Sequence, residues 1–235
     1  MPLVDAIRDA FILLISGDAA LWEIVWVSLK TSIVSILIAA PSAVAIGYLI
    51  ATRRFKGRRF AVWLAQATLS LPTVLVGLLL YLTLSRQGPL GGLHLLFTQS
   101  GIIAGQVLIV LPVLTAFSLA AIQAADPRVA ETAVTLGASR WRVMATVLHE
   151  VRFGVMAAII TGFGRVISEV GCAIMVGGNI AGYTRTITTA IALETSKGEF
   201  AQGIALGIVL VAVALAINAL LLLLQGDARV ARGAA

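Results

Sequence analysis

From residue 21 onward the chain is a succession of long apolar runs divided by short polar connections. The runs cover about Leu21 to Thr52, Phe60 to Leu84, Gly101 to Ala125, Phe153 to Met175 and Phe200 to Leu224. Each exceeds the roughly 20 residues a helix needs to cross about 30 Å of hydrocarbon. None alternates with period two, as barrel strands do. The pattern predicts an all-α membrane bundle with five transmembrane helices. Pro41, Pro72 and Pro112 lie inside the runs. Each frees a carbonyl and is expected as a kink held by neighbouring helices. No long internal repeat is visible. Before the first run, Leu3, Ile7, Phe11 and Leu14 recur at spacings of four and three. They predict a short helix on the outer interface, ended by Gly17-Asp18.

Two connections carry a pattern of their own. In residues 126–151, Asp126-Pro127 is a helix start, with an acceptor at the cap and a proline whose missing N–H costs nothing there. Val129, Ala133 and Leu136 follow at helical spacing. Gly137 suits a helix stop, because it tolerates a left-handed backbone. Ser139 is expected to cap a second helix with Trp141, Met144 and Leu148 on one face. The apolar faces of this pair need a cover: the bases of the spans, another protein, or lipid headgroups. Residues 176–199 hold Gly177, Gly178, Asn179 and Gly182, and then a half-apolar segment. Thr184 is expected to cap a helix with Ile187, Ala190, Ile191 and Leu193 on one side. That helix is too short to span. It lies at the surface or dips back in under a cover of protein.

Composition narrows the class. Of 235 residues 60% are hydrophobic and 12% charged, with mean hydropathy +1.02. A soluble domain carries about 25% charged residues, so this is an integral membrane protein. The net charge of +6 lies between apolar runs and is not interleaved with aromatics. That is an orientation signal and not a nucleic-acid surface. Arg53, Arg54, Lys56, Arg58, Arg59, Arg128, Arg140, Arg142, Arg152, Arg229 and Arg232 fall on one side; Arg8, Lys30, Arg86, Arg185 and Lys197 fall on the other. The positive-inside rule predicts an N-terminus outside and a C-terminus in the cytoplasm. The start "MPLVDAIRDAF" lacks the basic beginning and apolar core of a cleavable leader.

Candidate chemistry is sparse. None of Lys30, Lys56 and Lys197 follows a glycine, so a phosphate-binding loop is not expected. His94 and His149 are not spaced as metal ligands. No nucleophile–base or paired-carboxylate arrangement points to an enzyme. Cys172 has no second cysteine to pair with and is expected as a buried thiol. Gln106, Gln202 and Asn218 are expected to make interhelical hydrogen bonds. In the fourth run, Arg165 and Glu169 are spaced i, i+4 and are able to pair on one helix face. Intramembrane charges face a pathway or a bundle interior. The pair either biases a pathway toward anions or serves as a structural tie.

Glu131-Thr132-Ala133, three residues, then Gly137 resembles the cytoplasmic signature of permease subunits of bacterial and archaeal ATP-binding-cassette importers. Thr132, Val147 and His149-Glu150 depart from that signature. The stretches "DPRVAETAVTLGASRWRV", "SRQGPLG" and "GRVISEVGCAIMVGGNIAGYTRTITTAIALET" are similar to the tungstate branch of the molybdate/tungstate/sulfate permease group. The resemblance runs from about Ala20 to Leu224. It implies one transmembrane domain over residues 1–235, with its core at 20–225, a cytoplasmic coupling loop at 126–151 and an outer gate-like loop at 176–199. It implies a homodimer with one pathway at the two-fold axis, in a bacterial or archaeal inner membrane. Two separate ATPase subunits would bind ATP and Mg, and an extracytoplasmic solute-binding protein would deliver the oxyanion. Glu131, Ala133, Gly137, Ser139, Arg140 and Trp141 would couple to the ATPase. Arg165, Glu169, Asn179, Thr184, Arg185 and Thr186 are the pathway or gate candidates, with Thr188 and Thr189 as further hydroxyls. The implied cargo is tungstate, with molybdate next. An ion-coupled carrier would need coupling-ion residues in its spans beyond the Arg165–Glu169 pair.

Overall fold

The computed structural model describes the backbone of residues 3–233 and the side chains of residues 7–219 and of Leu223. Sequence expectations about the tail side chains Arg229 and Arg232 lie outside the described residues. The helices are α1 (Leu3–Ile15), α2 (Ala19–Thr52), α3 (Arg58–Ala67), α4 (Thr73–Leu84), α5 (Gln99–Gln123), α6 (Pro127–Thr135), α7 (Arg140–Glu150), α8 (Arg152–Ile167), α9 (Gly171–Gly177), α10 (Ile187–Lys197) and α11 (Phe200–Gly233). Short 3-10 turns occupy Thr68–Ser70 and Gly91–Leu93. Among the described residues there is no strand.

Three helical segments are long and apolar enough to cross a membrane unbroken: α2, α5 and Phe200–Ala219 of α11. The other two expected spans are interrupted, which corrects the sequence pattern. The second is broken at Leu71-Pro72, both in extended conformation. Proline disfavours the helical region in the residue before it. The Pro72 carbonyl then accepts from the N–H groups of Leu75 and Val76 to open α4. Pro41 and Pro112, by contrast, lie within helices that run on past them. The expected fourth span, 153–175, stops at Ile167 and restarts as α9 at Gly171. Counting α3 with α4 as one bent span, and α7 with α8 as another, brings the total to five.

The chain folds as two compact units. One contains Met1–Ser35, Pro72–Ile109 and Phe163–Ala219. Its first cluster gathers Ala10, Leu21, Ile24, Val25, Ile187, Ala190, Ala205, Leu206 and Val209. Here α1 buries Ala10, with Leu13 and Leu14 packed beside it. Ile7 and Phe11, expected on the same face as Leu14, are exposed instead. Gly17 is left-handed at φ 71°, and Asp18 Oδ1 accepts from Leu21 N at 2.8 Å to open α2. A second cluster gathers Leu84, Ile109, Cys172 and Val176. Cys172 sits between two glycines. A Cβ on Gly77 would lie 2.7 Å from Cys172 Cα, and one on Gly105 would lie 2.5 Å from its Sγ.

The other unit contains Ile36–Leu71, Val110–Gly162 and Leu220–Ala235. In it Ala39, Ala43 and Gly47 recur every fourth residue along α2. Both alanines are buried without residual exposure. A Cβ on Gly47 would meet Leu119 N at 3.1 Å and Thr115 O at 3.2 Å. Such small-residue seams let membrane helices approach closely where no hydrophobic force separates protein from lipid. Gly154 against Ala121 and Gly162 against Leu114 seat α8 on α5 in the same way.

Candidate coupling surface and pathway segment

The α6–α7 pair is built by local sequence. Asp126 Oδ1 accepts from Arg128 N at 2.9 Å, with Pro127 as the first helical residue. The first turn is thereby capped without loss, since proline has no N–H to satisfy. The chain turns at Gly137, φ 77°. Gly137 N donates to Val134 O at 2.9 Å and Ala138 N to Ala133 O at 3.0 Å. Ser139 occupies the cap position of α7, but its hydroxyl makes no capping bond there, contrary to expectation.

The chain itself covers the apolar faces only in part. On α7 the buried residue is Val147, at 5% exposure. Met144 and Leu148 are half-buried, while Trp141 points outward at 76%. Leu136 is exposed by 82% and Val134 by 60%. The pair forms an open groove of about 700 Å³ whose lining includes Val129, Thr132, Ala133, Ala145, Arg128 and Arg142. Glu131 faces a different groove, shared with Arg53, Arg54 and Arg58. Arg140 lines a third, beside Tyr48 and Val143. Six residues expected to act together are therefore spread over several faces of one exposed hairpin.

The segment around 165–198 is the opposite kind of structure. Arg165 Nη1 and Glu169 Oε2 are 3.1 Å apart, with the arginine side chain 39% exposed and the carboxylate 2%. The other carboxylate oxygen, Oε1, accepts from Cys172 N at 3.1 Å. The Glu169 carbonyl accepts from Thr188 Oγ1 at 2.7 Å. One residue therefore ends α8, starts α9 and holds α10. This is the physical reason the fourth run is not one helix: Glu169 N bonds back to Val166 O, tightening the turn, and its carboxylate caps the restart.

The hydroxyls of the outer loop are tied down. Thr184 is not the cap of α10, which corrects the sequence expectation. Its Oγ1 donates to Gly177 O at 2.6 Å and accepts from Ile180 N at 3.0 Å. Thr186 is the cap, in a capping box with Thr189. Ser28 Oγ accepts from Ile187 N at 2.7 Å, satisfying another buried N–H that the helix start leaves open. Asn179 stands in the left-handed region at φ 51°, and its Nδ2 donates to Thr189 O at 3.4 Å. Asn179 Oδ1 and Arg185 Nε are buried without a partner among the described residues. The structure thus brings Arg165, Glu169, Thr184, Thr186, Thr188 and Thr189 into one bonded segment.

Several contributors escaped sequence reasoning. Ser28, Thr31, Ser32 and Ser35 are all buried; their three-and-four spacing along α2 was the available signal. Ser35 Oγ donates to Gln106 Oε1 at 2.8 Å, an interhelical bond. Asn218 instead donates to Ala214 O within its own helix. Gln99 accepts from Lys30 Nζ at 3.0 Å and donates to Tyr183 O at 2.7 Å. Glu194, 5% exposed, pairs with Lys197 at 3.1 Å.

A family model described as "Binding-protein-dependent transport system inner membrane component" matches residues 43–230. The chain is 38% identical over 216 residues to the Tungstate uptake system permease protein TupB of Campylobacter jejuni subsp. jejuni, covering 92% of this chain and 90% of that one. It is 34% identical over 225 residues to the Tungstate uptake system permease protein TupB of Peptoclostridium acidaminophilum, covering 96% and 99%. Among solved structures, a bacterial ABC transporter involved in the import of the acidic polysaccharide alginate matches with a TM-score of 0.73 at 21% identity, covering 94% of this chain and 82% of that one. That last likeness is one of fold.

Proposed function

Because the chain belongs to the binding-protein-dependent transport system inner membrane component family, we propose that it is the permease subunit of an ATP-driven importer of tungstate. The observation that carries the cargo is the similarity to two tungstate uptake permeases over 92% and 96% of this chain. In this reading residues 1–235 form one transmembrane domain in a bacterial or archaeal inner membrane, with the N-terminus outside and the C-terminus in the cytoplasm. Two copies flank a pathway at the two-fold axis. Two ATPase subunits, which bind ATP and Mg, dock on α6 and α7, where Leu136, Val134 and Trp141 stand exposed. A solute-binding protein delivers the anion from outside.

ATP-driven closure of the motor would move the helix hairpin and rock the spans around the pathway. Arg165 offers the one partly exposed guanidinium of the α8–α10 segment whose position a buried carboxylate fixes. Its pairing leaves a weak, transient attraction suited to passage and not to capture. The threonines of the outer loop hold the loop rather than the anion. Tungstate and molybdate are nearly the same tetrahedral dianion, and separating them requires preorganised donors at fixed distances. Discrimination therefore belongs to the binding protein. The test is uptake of labelled tungstate into vesicles carrying the whole assembly, competed by molybdate, sulfate and phosphate. Uptake that equimolar molybdate reduces, and that sulfate and phosphate leave intact, is the expected result. Absence of tungstate uptake, or its block by equimolar sulfate, overturns the cargo while leaving the family in place.

A further inference from the structure

The connection between α2 and α3 reads Arg53-Arg54-Phe55-Lys56-Gly57-Arg58-Arg59, with Phe60 and Trp63 following on α3. Its five cations do not all do the same thing. Arg58 turns back to close the end of α2: Nε donates to Ile50 O at 2.8 Å and Nη2 to Ala51 O at 3.0 Å. It satisfies two of the carbonyls a helix end leaves open and complements the negative end of the dipole. That bond fixes the loop, and Gly57 at φ 96° makes the turn. Arg53, Arg54, Lys56 and Arg59 remain exposed. No carboxylate among the described residues pairs with any of the four.

Beside this charge lies an aromatic band. Phe55, Phe60 and Trp63 are exposed by 47%, 62% and 59%. Phe60 and Trp63 stack with ring centroids 5.6 Å apart. Aromatic rings exposed next to a helix end in a membrane protein belong at headgroup depth. Cations in the same layer attract negatively charged headgroups.

We propose that residues 53–63 form a binding site for the phosphodiester headgroup of an anionic phospholipid. Arg53, Arg54, Lys56 and Arg59 meet the phosphate. Phe55, Phe60 and Trp63 lie against the glycerol and upper acyl region. Arg58 positions the loop and does not contact lipid. Charge complementarity sets the occupant, since four cations without a carboxylate in ion-pair contact among the described residues face a neutral lipid poorly and an anionic one well. The aromatic band favours lipid over an acidic protein surface, which would leave the rings uncovered. A consequence follows from the next groove. Arg53 and Arg54 line it with Asp126 and Glu131 of the coupling hairpin, so headgroup occupancy would change the charge facing Glu131 and alter motor docking.

The probe is the chain's own tryptophan. The full-length permease is reconstituted into vesicles containing brominated phosphatidylglycerol or brominated phosphatidylcholine at equal mole fraction. Comparison with Trp63→Phe isolates Trp63 from Trp22, Trp26 and Trp141. Phosphatidylglycerol is expected to quench Trp63 more strongly at low salt, and the preference should shrink at high salt. Each surface cation contributes roughly a fivefold preference at most. The triple variant Arg53→Gln, Arg54→Gln, Arg59→Gln should lose preference by up to roughly a hundredfold, whereas the corresponding triple Lys variant should keep it. Inorganic phosphate at matched ionic strength should leave the quenching unchanged, which separates a headgroup from a free anion. Should the Gln variant fail to insert, the lipid and salt arms on the wild type decide alone. Equal quenching by the two lipids at low salt overturns the proposal and leaves the cations to the ATPase or to orientation.

Discussion

The hairpin α6–α7 and the segment from Glu169 to Gly198 use the same parts and reach opposite ends. Both are short helices joined through a left-handed glycine, Gly137 in one and Gly178 in the other. In the hairpin, Asp126 caps α6 while α7 starts without a side-chain cap, and Leu136, Val134 and Trp141 remain exposed. In the second segment, Glu169, Thr184, Thr186, Thr188, Thr189 and Glu194 are all at least nine-tenths buried, and each makes a bond within the unit. The difference separates an apolar surface that this chain leaves uncovered from a strut completed by its own bonds. A buried polar group that is bonded specifies one arrangement, and one left unbonded is costly. Substitutions in the two regions should therefore change different observables.

The largest expected effect lies where the strut is tightest. Gly77 has no room for a Cβ, because the atom would sit 2.7 Å from backbone of Cys172. Backbone cannot rotate away as a side chain can. Because the clash is with backbone, Gly77→Leu should cost well beyond the roughly 1–3 kcal/mol typical of overpacking, enough to separate α4 from α9, seen as loss of monodisperse protein in detergent. Gly207→Leu makes the control, since a Cβ there meets nothing within 4 Å. Equal loss from both would show that the close approach of α4 to α9 is not what holds this unit.

Next comes Glu169. Removing one partner of a buried ion pair costs about 3–5 kcal/mol, because the other charge is left unpaired. Arg165 is 39% exposed, so water recovers part of that penalty for the arginine. Glu169→Ala should therefore destabilise through the lost bond to Cys172 N as much as through the lost pair. Arg165→Ala should destabilise at least as much, because it leaves the buried Glu169 carboxylate its bond from Cys172 N but no counter-charge. The double variant should resemble Glu169→Ala. A double-mutant cycle with strictly additive losses would remove the pair from the account and leave Glu169 as a cap alone.

Glu169 also shows where sequence pattern stops being informative. The long apolar runs, the hairpin with Asp126 and Gly137, and the i, i+4 pair were all legible, because each depends on neighbours within a turn or two. The break at 168–170 was not. A carboxylate inside an apolar run looks the same whether it faces a path or restarts a helix, and only Cys172 N and Thr188 decide between them. The cap of α10 was misplaced by two residues for a similar reason. Thr184 and Thr186 are equivalent as local caps, and the choice is made by Gly177 and by Ser28, 159 positions before Ile187. On α7, the spacing of Trp141, Met144 and Leu148 predicts an apolar face without naming its cover, and the packing in this unit buries Val147 while leaving Trp141 exposed.

The smallest expected effect on stability is at the hairpin's outer face, and it sharpens the comparison most. Leu136 and Trp141 are exposed by 82% and 76%, so their replacement removes almost no buried area from this chain. Surface changes of this kind stay within about 0.5 kcal/mol, and Leu136→Ser with Trp141→Ser should leave Tm and monodispersity unchanged. If the hairpin is the docking surface for the ATPase, the same pair of substitutions removes the apolar anchors of that contact. Anchors of this sort carry most of the energy of an interface, so co-purification of the ATPase and tungstate-dependent ATP hydrolysis should both fall at least tenfold. A lipid-facing role predicts otherwise: the ATPase would still co-purify, and the variant would instead lose affinity for vesicles of every composition. The two outcomes share no readout. An unchanged ATPase interaction would move the docking surface away from Leu136 and Trp141, toward the groove that Glu131 lines with Arg53 and Arg54.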